Sequence, residues 1–185
     1  MHRKVVFIGG VGSGKTTIIN ELSQIETIDT EVESTIDIGK SMTTVGIDYG
    51  HLSLGEGLSL GLYGVPGQSR FSFVWDFVKE GLWGVVILVK NRDKESLLQA
   101  FQLLEYFDVH DGIPCVIGVT HADQSRTTAY VDKIHEMMEP YNLLLPIYSI
   151  DARKHDCAML IMRTLTAMQE SIDRNIGVKK IWTKH

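Results

Sequence analysis

The chain has 185 residues, of which 44% are hydrophobic and 22% are charged, and its formal net charge is −5. This composition is typical of a single globular domain and requires no linker or repeat. The acidic balance argues against a nucleic-acid partner, because neutralising phosphates requires a concentrated basic face. No apolar run approaches the roughly 20 residues of a membrane span, and no signal peptide or prenylation cysteine is recognised, so we expect a cytoplasmic protein without a stable membrane anchor.

The first predicted elements are a strand at residues 4–8 and a helix at 16–22, joined by the loop GGVGSGKT. This loop has the spacing G-x-x-x-x-G-K-[ST], and its amides and the helix dipole favour a polyphosphate over the alternative of a plain glycine-rich turn. Lys15 would reach the β- and γ-phosphates, and Thr16 would ligate Mg²⁺. The predicted phosphate-binding residues are Gly9, Val11, Gly12, Ser13, Gly14, Lys15, Thr16 and Thr17.

The remaining elements follow in an alternating pattern. Residues 25–40 are acidic and lack apolar periodicity, which predicts a solvated loop. Alternating leucines around residues 55–57 predict a hairpin. Later apolar patterns predict helices near 71–83, 97–104, 131–138 and 161–172, and strands at 85–89, 113–119 and 143–148. Such alternation predicts a mostly parallel sheet covered on both faces, with a ligand beyond the carboxyl ends of the strands.

The segment Gly64-Val-Pro-Gly-Gln-Ser-Arg-Phe71 carries a match to a known family. The chain resembles the Ras-like small GTPases, whose second switch is D-x-x-G-Q; Gly67 and Gln68 match, and Gly64 takes the place of the Asp. It is particularly similar to the bacterial and archaeal branch that includes the gliding-motility GTPase MglA and the conservon GTPases, where that Asp is commonly replaced. The resemblance extends from Lys4 to about Arg174.

This resemblance implies an α/β fold, the three-layer P-loop NTPase or Ras-like G domain, with a six-stranded, mostly parallel sheet, one antiparallel edge strand and about five helices. Residues 1–185 would form one G domain with terminal tails at 1–3 and 176–185. The implied catalytic residues are Lys15, Gly67, whose amide would contact the γ-phosphate, and Gln68, which would orient the attacking water. An amide side chain suits that task because it donates and accepts at once.

The segment Thr43-Thr-Val-Gly-Ile-Asp48 resembles the first switch of Rab-type members, T-I-G-V-D-F. The resemblance implies that Thr44 ligates Mg²⁺ together with Thr16 and senses the γ-phosphate. Thr43 is the fallback for this role. The alternative is an ordinary Thr pair at the start of a strand.

Two later loops resemble the base-binding motifs of the family. Thr120-His121-Ala-Asp123 stands where relatives have [NT]-K-x-D, which implies that these residues bind guanine. A carboxylate in the last position accepts two hydrogen bonds from guanine, and adenine lacks that donor pair; a helix N-cap is the alternative for Asp123. The segment Ser149-Ile-Asp-Ala-Arg153 resembles the S-A-K loop, and it adds to the predicted nucleotide-binding set Asp151, Ala152 and Arg153.

Departures from the family pattern predict slow hydrolysis. Gly64 lacks the carboxylate that would hold Mg²⁺, and either Asp37 or Asp48 is a candidate substitute. Val11 stands where many relatives have Gly. The first-switch region contains no Arg, so a charge-stabilising arginine would come from elsewhere in the chain, Arg70 being the nearest candidate, or from a partner protein.

Four aromatic residues at alternate positions, Phe71, Phe73, Trp75 and Phe77, cannot all face the core from one helix. We hypothesise that some of them, with Trp75 as the test case, form an effector surface. The expected partners are regulatory and effector proteins, such as a GTPase-activating protein, an exchange factor or a roadblock-type protein.

The sequence therefore predicts a GTP-binding molecular switch that hydrolyses GTP to GDP slowly and signals to a protein effector. Its expected ligand is GTP or GDP, and its expected cofactor is Mg²⁺. A non-hydrolysing, nucleotide-bound scaffold is the first alternative. A P-loop kinase or ATPase is the second.

Overall fold

The computed structural model describes residues 3–33, 44–55, 57–109, 112–122 and 128–182. One seven-stranded sheet forms the centre, in the order β2-β3-β4-β1-β5-β6-β7. Strand β3 runs antiparallel to both of its neighbours, and every other pair is parallel. The strands are β1 (Arg3–Gly9), β2 (Ile28–Glu33), β3 (Thr44–Gly55), β4 (Leu58–Pro66), β5 (Leu82–Lys90), β6 (Cys115–Thr120) and β7 (Ile147–Ser149).

Helices cover both faces of this sheet. They are α1 (Lys15–Leu22), α2 (Ser72–Lys79), α3 (Lys94–Tyr106), α4 (Thr128–Met138) and α5 (His155–Trp182), with 3₁₀ turns at Ser69–Phe71 and Glu139–Tyr141. Strand β1 shows why two helical layers are needed: Val6 and Ile8 pack in the core with α2, α3 and α4, while Val5 and Phe7 pack with α1 and α5. Successive strand side chains point to opposite faces, so an uninterrupted apolar strand is buried only between two layers. The α/β fold class is confirmed.

The sheet has one strand more than the predicted six. Strand β2 lies within the segment predicted to be a loop and pairs with β3, Ile28 opposite Tyr49 and Glu33 opposite Thr44. It is an edge strand, where charged side chains are tolerated because one side stays in solvent. The acidic residues of this stretch hid the alternation Ile-Asp-Thr-Glu-Val-Glu.

The predicted hairpin is confirmed as the antiparallel pair β3 and β4. Gly55 and Gly57 flank its turn with positive φ angles of 84° and 81°. At the other end of the chain, α5 continues to Trp182, into the segment that the sequence assigned to a tail. No helix within the described ranges is long and apolar enough to cross a membrane.

Candidate functional site

The glycine-rich loop between β1 and α1 is shaped by residues that can adopt positive φ. Gly12 and Gly14 have φ angles of 68° and 97°, which L side chains rarely adopt. Ser13 is buried between them, and its amide donates to Gly10 O at 3.2 Å. The N-cap residue of α1, Gly14, has no side chain to cap the helix, and no other described residue provides a side-chain cap. The helix dipole favours an anion at this end.

Lys15 is held against the loop that precedes it. Its ammonium donates to Gly9 O and Gly10 O, at 3.0 Å each. Burial lowers the pKa of Lys15 below its ordinary 10.5; the Asp48 carboxylate opposes this shift, and the Lys90 ammonium adds to it. A half-buried cation with a second cation nearby is a site that an anion would stabilise.

Thr16, Asp48 and Gly64 form one structural unit beside Lys15. The Thr16 hydroxyl donates to Asp48 Oδ2 at 2.8 Å, and Asp48 lies opposite Gly64 in the β3–β4 pair. A Cβ at Gly64 would lie only 2.5 Å from Asp48 Oδ2 and 2.9 Å from the Ile19 side chain. The Asp48 carboxylate thus takes the space that a side chain at position 64 would need. The sequence offered two acids as substitutes for the carboxylate missing at Gly64. Of these, Asp48 adjoins the loop, and Asp37 lies outside the described residues.

The second predicted switch begins in direct contact with the glycine-rich loop. The Gly67 amide donates to Gly9 O at 3.0 Å, and a Cβ at Gly67 would lie 3.1 Å from Gly9 backbone atoms. Close approach of two backbones therefore requires glycine here. Next to it, Pro66 O accepts a 2.8 Å hydrogen bond from Trp75 Nε1, which ties α2 to this segment.

A cavity of about 200 Å³ lies on the Val11 side of the loop. Val11 is 73% exposed, and Gln68 lines the same cavity with its Oε1 buried and without a hydrogen-bond partner in the described part of the chain. An acceptor buried in this way lacks a donor that a ligand or water would supply. The lining residues are Gly10, Val11, Gln68, Lys90, Asp93, Glu95, Ser96 and Gln99.

A larger cavity, of about 570 Å³, lies on the other side of the loop. It joins the start of α1 to the segments after β6 and β7. His121 Nε2 donates to Gly12 O at 2.9 Å, and a Cβ at Gly14 would lie 3.0 Å from Ala152 Cβ. The lining residues are Gly12, Gly14, Lys15, Thr16, Thr17, Thr120, His121, Ala122, Ser149, Ile150, Asp151, Ala152, Arg153, Lys154 and Cys157.

Asp151 and Arg153 form a bidentate ion pair on the rim of the larger cavity. Arg153 Nε and Nη2 donate to the two carboxylate oxygens at 2.9 Å each. These hydrogen bonds from Arg153 lower the pKa of Asp151 to about 2. The charge of the Arg153 guanidinium is therefore balanced by the Asp151 carboxylate, and the pair contributes little net charge to the cavity.

Not every predicted site residue lies within the described part of the chain. Asp123 and Thr43 lie outside it, and Thr44 is described only by its backbone, at the start of β3. The other predicted residues lie at the glycine-rich loop, at Gly67 and Gln68, or around the larger cavity.

The aromatic residues of the second switch divide between core and surface. Trp75 is 4% exposed and lies in the core, because its indole donates to Pro66 O and its neighbours are apolar; the effector surface stays a prediction. Phe77, 53% exposed, takes the surface position. Arg70 stacks over the Phe71 ring, with its guanidinium carbon 4.6 Å from the ring centroid, and lines neither cavity.

Most residues of the smaller cavity, among them Lys90 and Gln99, were not predicted from the sequence. Lys90 ends the otherwise apolar run Leu82–Lys90, and β5 lies beside β1 in the sheet. A lone cation at the carboxyl end of that strand was the available signal. Gln99 lies on α3, and no local pattern shows that it reaches the loop.

Comparison with known proteins places the chain in a family and a fold. The family model "Conserved hypothetical ATP binding protein" matches residues 7–171. The cytosolic domain of the T. maritima FeoB iron transporter is similar in its GDP form (TM-score 0.62, 16% identity, 91% of this chain and 64% of that chain) and in its GMPPNP form (0.59, 16%, 89% and 63%). The cytosolic domain of L. pneumophila FeoB is also similar (0.59, 18%, 89% and 68%).

No curated protein matches the sequence significantly. The chain spans just under two thirds of the T. maritima domain, and what it shares with these structures is the P-loop GTPase-like fold.

Proposed function

The chain belongs to the family of conserved hypothetical ATP binding proteins, and we propose that it is a guanine-nucleotide switch that hydrolyses GTP to GDP slowly. The observation that carries this proposal is the larger cavity, which joins Lys15 and Thr16 to the segments after β6 and β7. Phosphate-binding and base-binding residues must meet in one cavity for a nucleotide to bind, and about 570 Å³ is within the range of small-molecule sites.

The choice of guanine rests on the resemblance of the segment after β6 to the base-binding motif of the Ras-like small GTPases. The family whose model matches this chain is described as ATP binding, and the similar FeoB domains are GDP and GMPPNP forms. We favour guanine because Thr120 and His121 line the cavity immediately before Asp123, which would accept two hydrogen bonds from the guanine edge. Adenine offers no such pair of donors.

Mg²⁺ would be held by Thr16 and Asp48, together with Thr44 from the first switch. A hydroxyl and a carboxylate are the hard oxygen donors that Mg²⁺ prefers, and phosphate oxygens and water would complete its coordination. The fit is supported by the missing side chain at Gly64, which leaves the Asp48 carboxylate next to the Thr16 hydroxyl at 2.8 Å. When bound, the cation would neutralise charge on the phosphates.

The chain's own residues would position the reactants for hydrolysis. Gln68 would orient a water whose oxygen attacks the γ-phosphorus while the bond to the β-phosphate oxygen breaks, which yields GDP and inorganic phosphate. Lys15 would offset charge on the β- and γ-phosphates. Val11 shares the cavity with Gln68. A side chain there, where many Ras-like relatives have Gly, would restrict the space for the water and slow the rate.

The switching step would be an exchange of partners by the Gly67 amide. In this structure the amide donates to Gly9 O. A γ-phosphate is a stronger acceptor and would compete for it. The movement would pass through the Pro66–Trp75 hydrogen bond to α2 and to regulatory and effector proteins.

A non-hydrolysing scaffold is the second candidate, favoured by the contacts that Gly67 and Lys15 already make with the loop. Single-turnover hydrolysis of GTP with and without Mg²⁺ separates the two, since a scaffold releases no phosphate over hours. A P-loop kinase or ATPase is a third, which the family's description favours.

Base specificity is tested by identifying the nucleotide that copurifies with the protein. We expect GDP or GTP in the supernatant after denaturation, separated by ion-exchange chromatography. Base specificity is also measured in solution, by the displacement of a bound fluorescent guanine nucleotide by GDP, GTP, ADP or ATP. A preference for the adenine nucleotides would overturn the proposal.

A further inference from the structure

We infer that Lys90 is a second phosphate-binding cation, which contacts the terminal phosphate of a bound nucleoside triphosphate and supplies from within the chain the charge that related hydrolases take from an arginine. The inference deepens the proposed function and rests on its nucleotide at the glycine-rich loop. It assigns a role to the smaller cavity, which the nucleotide's base does not use.

The position of Lys90 follows from the sheet. Strand β5 pairs with β1, Leu88 opposite Gly9, so the strand end that carries Lys90 lies beside the loop. The Lys90 ammonium is 3.4 Å from the position of a Cβ on Gly12. It also lines the smaller cavity with Val11 and Gln68, on the side where hydrolysis would take place.

The backbone of Lys90 is held from three directions. Its amide donates to Ser96 Oγ at 3.0 Å, and its carbonyl accepts from Asp93 N at 3.2 Å and from the Tyr130 hydroxyl at 3.3 Å. Only the side chain remains to move. A cation delivered from a fixed strand end needs little reorganisation when charge develops, which is the condition for effective electrostatic stabilisation.

The charges around Lys90 leave it available for an anion. Lys90 forms no ion pair within the described ranges, although Asp93 and Glu95 also line the cavity. Asp93 Oδ1 accepts the amides that begin α3, and Glu95 Oε1 accepts from Gln99 Nε2 at 3.5 Å. Lys15 is another ammonium near the loop; burial is the main cause of its lowered pKa, and repulsion from Lys90 adds to that shift. A polyphosphate between the two ammonium groups would convert that repulsion into attraction.

Two buried acceptors in the same cavity also lack donors. Gln68 Oε1 and Gln99 Oε1 are both buried and have no hydrogen-bond partner among the described residues, and Gln99 Oε1 lies 3.5 Å from the position of a Cβ on Gly10. A water between them and the terminal phosphate would supply donors to both. Lys90 would then hold the phosphate oxygens while this water attacks, and the water's proton would leave with the inorganic phosphate.

The test compares Lys90→Met and Lys90→Arg with the control Lys94→Met, which removes the same charge from an exposed position at the start of α3. Dissociation constants are measured for GDP, GMPPNP, ADP and AMPPNP, and single-turnover hydrolysis is measured for the preferred triphosphate. In Lys90→Met we expect affinity for the triphosphate analogue to fall about 10- to 100-fold, and affinity for the diphosphate to change less than about threefold. Hydrolysis should slow by about 10- to 10³-fold. Lys90→Arg should restore most of both losses, and Lys94→Met should match the wild type.

Equal losses for di- and triphosphate, or an unchanged hydrolysis rate in folded Lys90→Met, would overturn the role of Lys90. Circular dichroism establishes folding, and Lys90→Gln replaces Lys90→Met if the latter fails to fold. If the wild type prefers adenine nucleotides, guanine specificity fails, whereas the difference between di- and triphosphate in the variant still decides the role of Lys90.

Discussion

The two cavities beside the glycine-rich loop are built by different parts of the chain. The larger is lined by segments that follow strands of the sheet, and most of its lining residues belong to motifs that were recognised in the sequence. The smaller combines Gly10 and Val11 of the loop with the end of β5, the start of α3 and Gln68. The lining of the larger cavity can therefore be located from strand ends, whereas the lining of the smaller cavity depends on how a helix packs against the sheet.

Removing the Lys15 ammonium should disable both cavities together. We expect Lys15→Met to weaken binding of di- and triphosphates by roughly 10²- to 10⁴-fold, because charge-assisted hydrogen bonds to two phosphates are lost. The nucleotide-free variant should melt within about 3 °C of the wild type, since keeping this half-buried ammonium charged costs folding free energy. Calorimetry and thermal melts check both, with Lys133→Met as the exposed control. Unchanged affinity would contradict the shared role.

Exchanging the side chains of positions 48 and 64 probes the contact between the loop and β3. Gly64→Asp should lose about 2–4 kcal/mol of unfolding free energy, because a Cβ 2.5 Å from Asp48 Oδ2 overpacks the site and brings two carboxylates together. The double variant Asp48→Gly/Gly64→Asp should recover about half of this loss, because the contact with Asp48 is removed while the 2.9 Å contact with Ile19 remains. Urea unfolding of the wild type, both single variants and the double variant measures the coupling. Additive losses would show that the two positions do not share one space.

Gln68→Leu should affect the smaller cavity alone. The side chain keeps its approximate size but loses the amide that would orient water, so single-turnover hydrolysis should slow roughly 10- to 100-fold. Affinity for GDP should stay within about twofold, because Gln68 does not line the larger cavity. Rapid-quench hydrolysis and GDP titration measure the two. Equal effects on both would show that the cavities act as one site.

The smallest effect is expected on the rim of the larger cavity. Arg153→Met should raise the pKa of Asp151 from about 2 towards 3.8, because the guanidinium hydrogen bonds hold it low. The stabilisation from this pair in the wild type is fully present above about pH 3.8 and is lost as the pH falls through about 2. Carboxyl ¹³C NMR titration measures the shift. An unchanged pKa would mean that the ion pair does not form in solution.

Several parts of the site could be located from the sequence because short-range pattern encodes them. The loop at residues 9–16 needs glycine where φ is positive, and those positions are visible in the chain. Strand β2 was missed because its acidic residues masked a regular alternation, and edge pairing tolerates them. Gln99 could not be located, since its reach depends on the distance between α3 and the loop.

The sequence by itself determined that a glycine-rich loop with phosphate-binding spacing lies between a buried strand and a helix, and that position 64 carries Gly where the Ras-like pattern has an acid. Only the tertiary structure decided that the Asp48 carboxylate occupies the space beside Gly64. The reason is a one-residue shift in the β3–β4 register between Ser53 and Gly55, which places Asp48 opposite Gly64; without the shift it would face Val65. A sequence pattern specifies which residues alternate along a strand, but the geometry of the turn specifies which residues meet across it.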